Sequence, residues 1–327
     1  MSGGRTGDAG TSEVLARVRA GFPTLTWEST TVPPQGMDHE VVVLHGASGS
    51  GADPVDLVAR LPRTQAYREQ APVEAGVLEL LSRTADSPVR LPHPALTTAD
   101  GRVTLQGRIA GEPLDAQVWK TLDPERQDAV TRQLAGMMRL LHGSDVASSP
   151  VSDVVSWWTA DGTVNTASPR ALPAKAALVR TRAAELLPAR ISAEDLGIVE
   201  SILHDVDVML SSRLSASDGR LIHSDLYDSH LLWDGSSLGV IDFSDMNIGD
   251  PALDYAHLFA LDPALPRRVA EQSGDAEDDA ALLHRAWTYA RWDAVFLLLD
   301  HLRTGHTPAS VAWEVFGRAK AATAPPL

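Results

Sequence analysis

The first third of the chain alternates short apolar runs with polar turn segments, a pattern that predicts a β-sheet. Two β-branched runs, Glu40–His45 and Pro54–Leu61, flank a glycine- and serine-rich segment typical of a hairpin turn. A further strand pair is predicted around Asp100–Gly101, with Arg102–Ile109 as its second member. The pattern therefore predicts a small antiparallel sheet in the amino-terminal part of the chain.

Between these strands, apolar residues recur with the spacing of a helix. In Ala71–Ser82, Glu74 shares one face with apolar residues at the i+3, i+4 and i+7 positions. A carboxylate on an apolar stripe needs a cationic partner, because burying a lone charge is costly. Arg60, in the second predicted strand, is the candidate partner. In the alternative interpretation the two residues are unconnected and Arg60 lies on the surface.

After Gly111 the pattern becomes mostly helical. Asp123 and Pro124 are a typical cap and first residue for a helix that runs to His142 and ends at Gly143. Helical spacing then returns three times and is interrupted by a polar, strand-rich segment. The helical segments are Ala171–Leu187, Ala193–Leu210 and Asp279–Leu302, and the interruption is Leu221–Gly249.

The change from strands to helices predicts an α+β fold with two unequal lobes. We expect residues 1–106 to form a small lobe with an antiparallel sheet and one main helix. Residues 107–327 should form the connection and a larger, mostly helical lobe, while residues 1–12 should be disordered. Clefts between lobes commonly bind small ligands.

Composition narrows the class of protein. Hydrophobic residues make up 44% and charged residues 22%, which is typical of a soluble globular protein. No apolar run approaches the ~20 residues of a membrane helix, and the first residues do not form a signal peptide, so we expect a cytoplasmic monomer without membrane association. The net charge of −15 argues against nucleic-acid binding and favours cationic partners.

One segment, residues 221–254, carries the candidate chemistry. Phosphoryl transfer needs a carboxylate that orients the acceptor hydroxyl and ligands for the metal ions that neutralise the phosphates. Protein kinases supply them with a loop Asp, an Asn five residues later and an Asp-Phe-Gly strand end. Here Asp225, His230 and Asp242 stand in that order, with Asp242 at the end of an apolar strand. The spacing therefore indicates a phosphotransferase, with Asp225 as base and Asp242 as magnesium ligand.

This segment resembles the aminoglycoside-phosphotransferase family, whose loop typically reads HGDLHxGN and whose later strand reads IDWxxxxxGDPxxD. His230 stands where most members have Asn, and in this respect the segment is similar to macrolide phosphotransferases, which have HGDLYxxH followed by IDWS. The sequence ARLPR at Ala59–Arg63 and the pair Glu74-Ala75 also resemble that subgroup. The resemblance touches both lobes and covers the middle helices and the carboxyl-terminal third only loosely.

The resemblance implies a bilobal protein-kinase-like fold and a specific reaction. The reaction would transfer the γ-phosphoryl group of GTP to the 2′-hydroxyl of a macrolide's amino sugar, with Mg²⁺ as cofactor. That reaction would inactivate an antibiotic. The residues themselves do not distinguish GTP from ATP.

The resemblance also implies roles for individual residues. His230 and Asp242 would bind magnesium, His230 directly or through water, although a purely structural histidine is the alternative. His223 and Asp250 would support the catalytic loop, or Asp250 would only cap a helix. Asp254, one turn on, is either exposed or part of the same support. The nucleotide would contact Arg60 with Glu74, Gly36 in the loop Pro33–Asp38, and the backbone of Arg108 and Ile109 in the lobe connection.

The sequence leaves alternative functions possible, and it does not settle which residues line the substrate pocket. An aminoglycoside kinase would have a denser acidic pocket, a kinase for an endogenous metabolite is compatible with the same residues, and a catalytically inactive binding module would not require Asp225, His230 and Asp242 together. Trp157, Trp158 and the apolar face of Trp287–Leu299 either line a macrolide pocket or belong to the core.

Overall fold

The computed structural model of the protein describes residues 6–36, 38–49, 53–84, 87–93, 95–158, 163–165, 168–169, 171–212, 219–274 and 279–321. It has the expected α+β architecture, with a small lobe built on a sheet and a larger, mostly helical lobe. The strands are β1 (Ser29–Thr31), β2 (His39–Ala47), β3 (Val55–Pro62), β4 (Ala95–Thr97), β5 (Thr104–Gly107), β6 (Glu112–Pro113), β7 (Thr163–Asn165), β8 (Ser168–Pro169), β9 (Arg220–Ile222), β10 (Leu231–Trp233), β11 (Leu238–Val240) and β12 (Asn247–Gly249). The α-helices are α1 (Thr6–Gly21), α2 (Gln65–Ser82), α3 (Ala116–Thr121), α4 (Pro124–His142), α5 (Leu172–Leu186), α6 (Ala193–Ser212), α7 (Ala252–Ala256), α8 (Leu265–Ser273), α9 (Asp279–Thr304) and α10 (Ala309–Ala321).

The small lobe is a five-stranded antiparallel sheet in the order β1-β2-β3-β5-β4. Helix α1 packs on β2 and β3, where Val14 and Val18 are buried one turn apart. The sequence pattern predicted disorder up to residue 12, but helix α1 begins at Thr6. The reason is that Val14 and Val18 give the helix an apolar contact with the sheet, which stabilises residues that have little helical preference of their own.

Helix α2 begins six residues earlier than its spacing predicted. Thr64 caps the helix by accepting a hydrogen bond from the N–H of Tyr67 (3.4 Å), and Pro72 lies inside the helix instead of at its start. Proline inside a helix removes one backbone hydrogen bond, so a proline in a sequence usually indicates the first turn of a helix. Here the buried residues on both sides of Pro72 hold the helix together as one element.

The large lobe is built around α9, whose buried residues include Leu282, Ala286 and Leu298. Helices α5, α6, α7, α8 and α10 pack against α9, and α4 packs on α8. Helix α4 begins at Pro124 after its Asp123 cap and ends at His142, as the sequence predicted, whereas α3, α8 and α10 were not anticipated. Within the described residues, no helix combines the length and apolar character that a membrane span requires.

The connection between the lobes includes β6, which is one strand of a second, three-stranded sheet in the order β11-β10-β6. Strand β6 pairs with β10, and the N–H of Arg90 from the small lobe donates to the carbonyl of Leu238 in β11 (2.9 Å). Gly111 has a φ of 123°, and an added Cβ would lie 2.9 Å from the carbonyl carbon of Trp233. The connection therefore requires glycine at this position.

Candidate active site

The loop from His223 to His230 lies between β9 and β10, and Asp254 holds its start in place. The Asp254 carboxylate is fully buried and accepts hydrogen bonds from the N–H groups of His223 (3.1 Å) and Ser224 (2.7 Å). His142 Nε2 lies 3.0 Å from the same carboxylate. Ser224 has a φ of 68°, a left-handed conformation that costs energy for a residue other than glycine. The hydrogen bonds to Asp254 thus maintain a strained turn directly before Asp225.

His223 ties the loop to the strand segment that carries Asp242. Its Nε2–H donates to the carbonyl of Ile241 (3.0 Å), and its Nδ1 accepts from the N–H of Asp225 (3.2 Å). This pattern requires the neutral ring, and burial lowers the pKa of His223 to about 4. His223 is therefore placed as the predicted scaffold residue, between the two segments of the site.

Asp250 lies just before α7 and contacts Arg285 of α9. Its carboxylate accepts two hydrogen bonds from Arg285 of α9 (2.9 and 3.1 Å) and one from the N–H of Ala252 (3.1 Å) at the start of α7. These contacts cap α7 and fix it against α9. Asp250 therefore has the alternative role given for it, that of a helix cap, and Asp254 is the carboxylate that supports the loop, which was one of the two roles predicted for Asp254.

Asp225, His230 and Asp242 lie together at the mouth of the cleft. His230 Nδ1 donates to the backbone carbonyl of Asp225 (2.7 Å) and lies 3.3 Å from Asp225 Oδ2. The other ring nitrogen, Nε2, lies 3.7 Å from Asp242 Oδ2. Asp242 itself adopts a left-handed conformation with a φ of 65°. The backbone bond thus orients Nε2 towards the carboxylate of Asp242, as two ligands of one ion would be oriented.

The pKa values of Asp225 and Asp242 depend on burial and on the neighbouring charges. Burial opposes ionisation of Asp242, but the charges of Arg60 and His230 outweigh it and hold the pKa of Asp242 well below its usual range. Burial raises the pKa of Asp225, and the charges of Asp245 and Asp242 raise it further against the effect of His230. The pKa of Asp225 is therefore raised while that of Asp242 is lowered, which is the pattern of one carboxyl group that exchanges a proton and a second that stays ionised.

Arg60 connects the small lobe to Asp242. It is buried in β3, and its Nη1 donates to Glu74 Oε1 of α2 (2.7 Å) and to Gln106 Oε1 (3.3 Å). Its Nη2 donates to Asp242 Oδ1 across the cleft. The predicted pair of Arg60 and Glu74 is thus brought together, and one guanidinium joins both lobes through two carboxylates.

Tyr67 and Gln70 of α2 are site residues that the sequence reasoning missed. The Tyr67 hydroxyl donates to Asp245 Oδ1 (2.9 Å), and Gln70 Nε2 donates to the carbonyl of Met246 (2.8 Å). Tyr67, Gln70 and Glu74 share one helix face at i, i+3 and i+7. The spacing could have identified all three residues as one buried face. Tyr67 and Gln70 were missed because the sequence pattern placed the start of α2 at Ala71.

Asp38, at the start of β2, is a second missed residue. Burial and the charges of Asp245 and Asp242 raise the pKa of Asp38 to about 7, and its Oδ1 is buried without a hydrogen-bond partner among the described residues. Gly36, in the preceding loop, is exposed with open space at its Cβ position, and Met37 lies outside the described residues. The loop between β1 and β2 therefore brings the carboxylate of Asp38 close to Asp242 and Asp245, while the contact of Gly36 with the nucleotide stays a prediction.

The residues predicted to contact the nucleotide base lie in the lobe connection. The N–H of Arg108 already donates to the carbonyl of Asp56 (2.9 Å), and the Arg108 side chain lies 3.4 Å from the Asp56 carboxylate. Ile109 lies against Gly239 of β11, where an added Cβ would meet its Cγ2 at 2.2 Å. Of the two residues, Ile109 is the one packed against the large lobe.

The opposite wall of the cleft is formed by α9 and the loop residue Tyr227. The Tyr227 hydroxyl donates to Asp293 Oδ2 (2.7 Å), and the ring of His257 stacks on that of Tyr227 with centroids 3.8 Å apart. The negative charge of Asp293 contributes to the raised pKa of Asp225. Asp293 therefore lies close enough to Asp225 for the two charges to interact.

Comparison with known proteins gives one family and a set of similar structures. The model of a family described as "Phosphotransferase enzyme family" matches residues 29–295. A search of curated protein sequences finds no match.

Three similar structures show how widely the fold is shared. The GDP and kanamycin complex of APH(2″)-IIia is 21% identical, with a TM-score of 0.72, over 94% of this chain and 98% of the other. The ADP-bound aminoglycoside phosphotransferase APH(2″)-Ib is 16% identical, with a TM-score of 0.61, over 94% and 96%. The apoenzyme of a macrolide 2′-phosphotransferase from Brachybacterium faecium is 18% identical, with a TM-score of 0.57, over 95% and 98%. The TM-scores and the coverage of both chains confirm the kinase-like fold that the sequence predicted.

Proposed function

The chain belongs to the phosphotransferase enzyme family, and we propose that it is an antibiotic-resistance kinase that phosphorylates macrolides. It would transfer the γ-phosphoryl group of GTP to the 2′-hydroxyl of the macrolide's amino sugar. The observation that carries the proposal is the arrangement of Asp225, His230 and Asp242, in which a histidine replaces the usual Asn and directs Nε2 towards Asp242.

Asp225 is the residue that would accept the proton of the acceptor hydroxyl. Its carboxylate is partly exposed at 27%, so an acceptor can reach it, and its backbone is fixed through His223 and His230. A pKa above the ordinary value makes a carboxylate a stronger base once it is ionised. The loop therefore supplies an oriented base at the cleft surface.

Magnesium would be held by His230 and Asp242. Asp242 fits the role because it is kept ionised. The bond from His230 Nδ1 to the Asp225 carbonyl leaves Nε2 facing Asp242, and the neutral ring would hold the ion directly or through water. Two protein ligands suit magnesium, which is usually completed by water and substrate phosphates, and no cluster of three such ligands occurs in the described part of the chain. Bound magnesium would neutralise the negative charge of the phosphates.

Arg60 is the residue that would contact the nucleotide phosphates. Its charge is fixed by Glu74 on one side, and its second nitrogen already points across the cleft to Asp242. A guanidinium keeps its charge at every working pH and can bind phosphate while still paired. Both GDP-bound and ADP-bound structures occur among the similar proteins, so the choice of GTP rests on the resemblance to macrolide phosphotransferases.

Helix α9 contributes Asp293, whose carboxylate accepts the hydrogen bond of Tyr227, while the neighbouring Trp292 is buried in the core of the large lobe. The choice of a macrolide therefore rests on the resemblance of the segment around His230 to macrolide phosphotransferases. Polycationic aminoglycosides need several carboxylates, and the charges of Asp242, Asp245 and Asp293 all act on Asp225. A second candidate, an aminoglycoside kinase, is supported by the similar structure determined with kanamycin.

The test is a direct assay of product. The purified protein is incubated with Mg²⁺, with GTP and ATP in separate reactions, and with separate panels of macrolides and aminoglycosides. Mass spectrometry then detects the addition of one phosphoryl group. We expect product with macrolides and GTP, and absence of product with every macrolide would refute the proposal.

Variants test the mechanism within the same assay. Asp225→Asn is expected to lower kcat by at least about 100-fold, while Asp128→Asn, on the exposed face of α4, serves as the matched control and should keep full activity. His230→Asn restores an oxygen ligand and should retain more activity than His230→Ala. Equal activity of the two His230 variants would argue against a metal-binding role for this residue.

A further inference from the structure

Three aromatic rings surround the ammonium group of Lys175 beside the catalytic cleft. Lys175 Nζ lies 4.7 Å from the ring centre of Phe296, 5.7 Å from that of Trp157 and 5.9 Å from that of Trp292. All three distances are within the ~6 Å over which a cation is attracted to an aromatic face. We call Trp157, Trp292 and Phe296 the aromatic box.

The ammonium group of Lys175 has few other interactions. Among the described residues, no carboxylate lies within ion-pair distance of its Nζ, and no hydrogen bond is made by it. A lysine ammonium is strongly hydrated and normally stays in water or pairs with a carboxylate. Its position against three rings is therefore unusual and indicates that the box is a good site for a cation.

The aromatic box lies next to the residues of phosphoryl transfer. The backbone N–H of Trp157 donates to the carbonyl of Ile248 (3.2 Å), which follows Asp245 in the chain. In α9, Trp292 directly precedes Asp293, whose carboxylate accepts the hydrogen bond from Tyr227 of the catalytic loop. The charge of Lys175 also reaches Asp245, where it lowers the pKa against the effect of burial. The aromatic box therefore lies close to the residues proposed for phosphoryl transfer.

One polar atom inside the box has no partner. Trp292 is 5% exposed, and its buried Nε1–H makes no hydrogen bond in the described part of the chain. Buried N–H groups are normally satisfied, so this donor is available to an acceptor. An oxygen atom of a sugar beside the cation would provide the missing acceptor.

We infer that the aromatic box binds a methylated ammonium group of the acceptor and that Lys175 occupies the box until the acceptor displaces it. A methylated ammonium is less strongly hydrated than the lysine ammonium and can contact all three rings with its methyl groups. The assignment of this ligand to the acceptor rests on the proposed function, whereas the cation site itself does not.

The inference can be tested without an enzymatic assay, because the chain has three lysines, Lys120, Lys175 and Lys320. Lysine labelled with ¹³C at Cε gives three NMR signals, which Lys175→Met and Lys120→Met assign. We expect the Lys175 signal to be displaced by the ring currents of the box. On titration with tetramethylammonium chloride it should move towards the positions of the other two signals. Sodium chloride and neopentyl alcohol, which test ionic strength and apolar bulk, should leave it in place.

Lys175→Met measures the competition directly. The substitution keeps most of the side-chain length and removes the charge, so tetramethylammonium no longer has to displace a cation. The dissociation constant, read from the indole Nε1–H signal of Trp292 and assigned with Trp292→Phe, should fall by about tenfold. Lys120→Met, an exposed lysine on α3, is the matched control and should leave the constant unchanged.

The inference is overturned if the Lys175 signal does not respond to tetramethylammonium, if neopentyl alcohol moves it equally, or if Lys175→Met binds no more tightly than the native protein. These outcomes are separable from the proposed function. Displacement of Lys175 without phosphorylation of any macrolide would keep the cation site and refute the macrolide kinase. Phosphorylation of a macrolide without displacement of Lys175 would support the macrolide kinase and refute the cation site.

Discussion

Replacement of Asp254 by Asn is the substitution whose effect the structure predicts most directly. Asp254 is fully buried at the start of α7, and its two oxygens accept the N–H groups of His223 and Ser224. Asn has the same shape but offers one acceptor oxygen and one NH₂ group. In Asp254→Asn, one of the two backbone N–H groups must therefore face another donor.

The magnitude follows from the bonds that change. A hydrogen bond to a charged acceptor contributes about 1.5–3 kcal/mol, and a buried donor left unsatisfied costs about 1–3 kcal/mol. Asp254→Asn replaces one such bond by an unsatisfied N–H and weakens the other, so we expect a loss of about 3–4 kcal/mol in the free energy of unfolding. Because Ser224 sits in a strained conformation that these bonds maintain, the loop before Asp225 should also relax.

Urea unfolding followed by far-ultraviolet circular dichroism measures the free energy of unfolding, and the phosphorylation assay measures kcat. Both should fall in Asp254→Asn. Asp128→Asn is the matched control, because its carboxylate is exposed and a surface pair contributes at most about 1 kcal/mol. The reasoning is refuted if Asp254→Asn unfolds within about 0.5 kcal/mol of the native protein, since that would mean the loop is held by other contacts.

Three further predictions concern the small lobe and its contacts with the large one. Asp38→Asn should stabilise the protein at pH 8 more than at pH 5, because the pKa of about 7 in the folded state lies above the ordinary value of about 3.9 for an aspartate. Ionisation of Asp38 therefore makes folding less favourable as the pH rises between these two values, by at most about 4 kcal/mol in total, and urea unfolding at pH 5 and pH 8 measures the difference. Tyr67→Phe removes a hydrogen bond to Asp245 and should cost about 1–2 kcal/mol in urea unfolding; an unchanged midpoint would contradict this. Glu74→Gln leaves buried Arg60 with one carboxylate fewer and should cost about 2–4 kcal/mol and raise the KM for the nucleotide; an unchanged KM would separate Arg60 from nucleotide binding.

The sequence determined the parts of the site that lie close together along the chain. Asp225, His230 and Asp242 fall within 18 residues, so the strand-loop-strand pattern alone indicated that they would meet. The pair of Arg60 and Glu74 could also be predicted, since Glu74 lay on an apolar helix face and needed a cation in a neighbouring strand. These inferences worked because short-range spacing and the cost of a buried charge do not depend on the rest of the fold.

Tertiary structure decided the parts that join distant segments. Asp250 lies just before α7 and Asp254 lies in its first turn, and only packing shows that Asp254 binds the catalytic loop while Asp250 binds Arg285. Tyr67 meets Asp245, and Lys175 meets rings from α9, across more than 100 residues of chain. Sequence spacing carries no information about such contacts, because their partners are chosen by the packing of whole helices and lobes against one another.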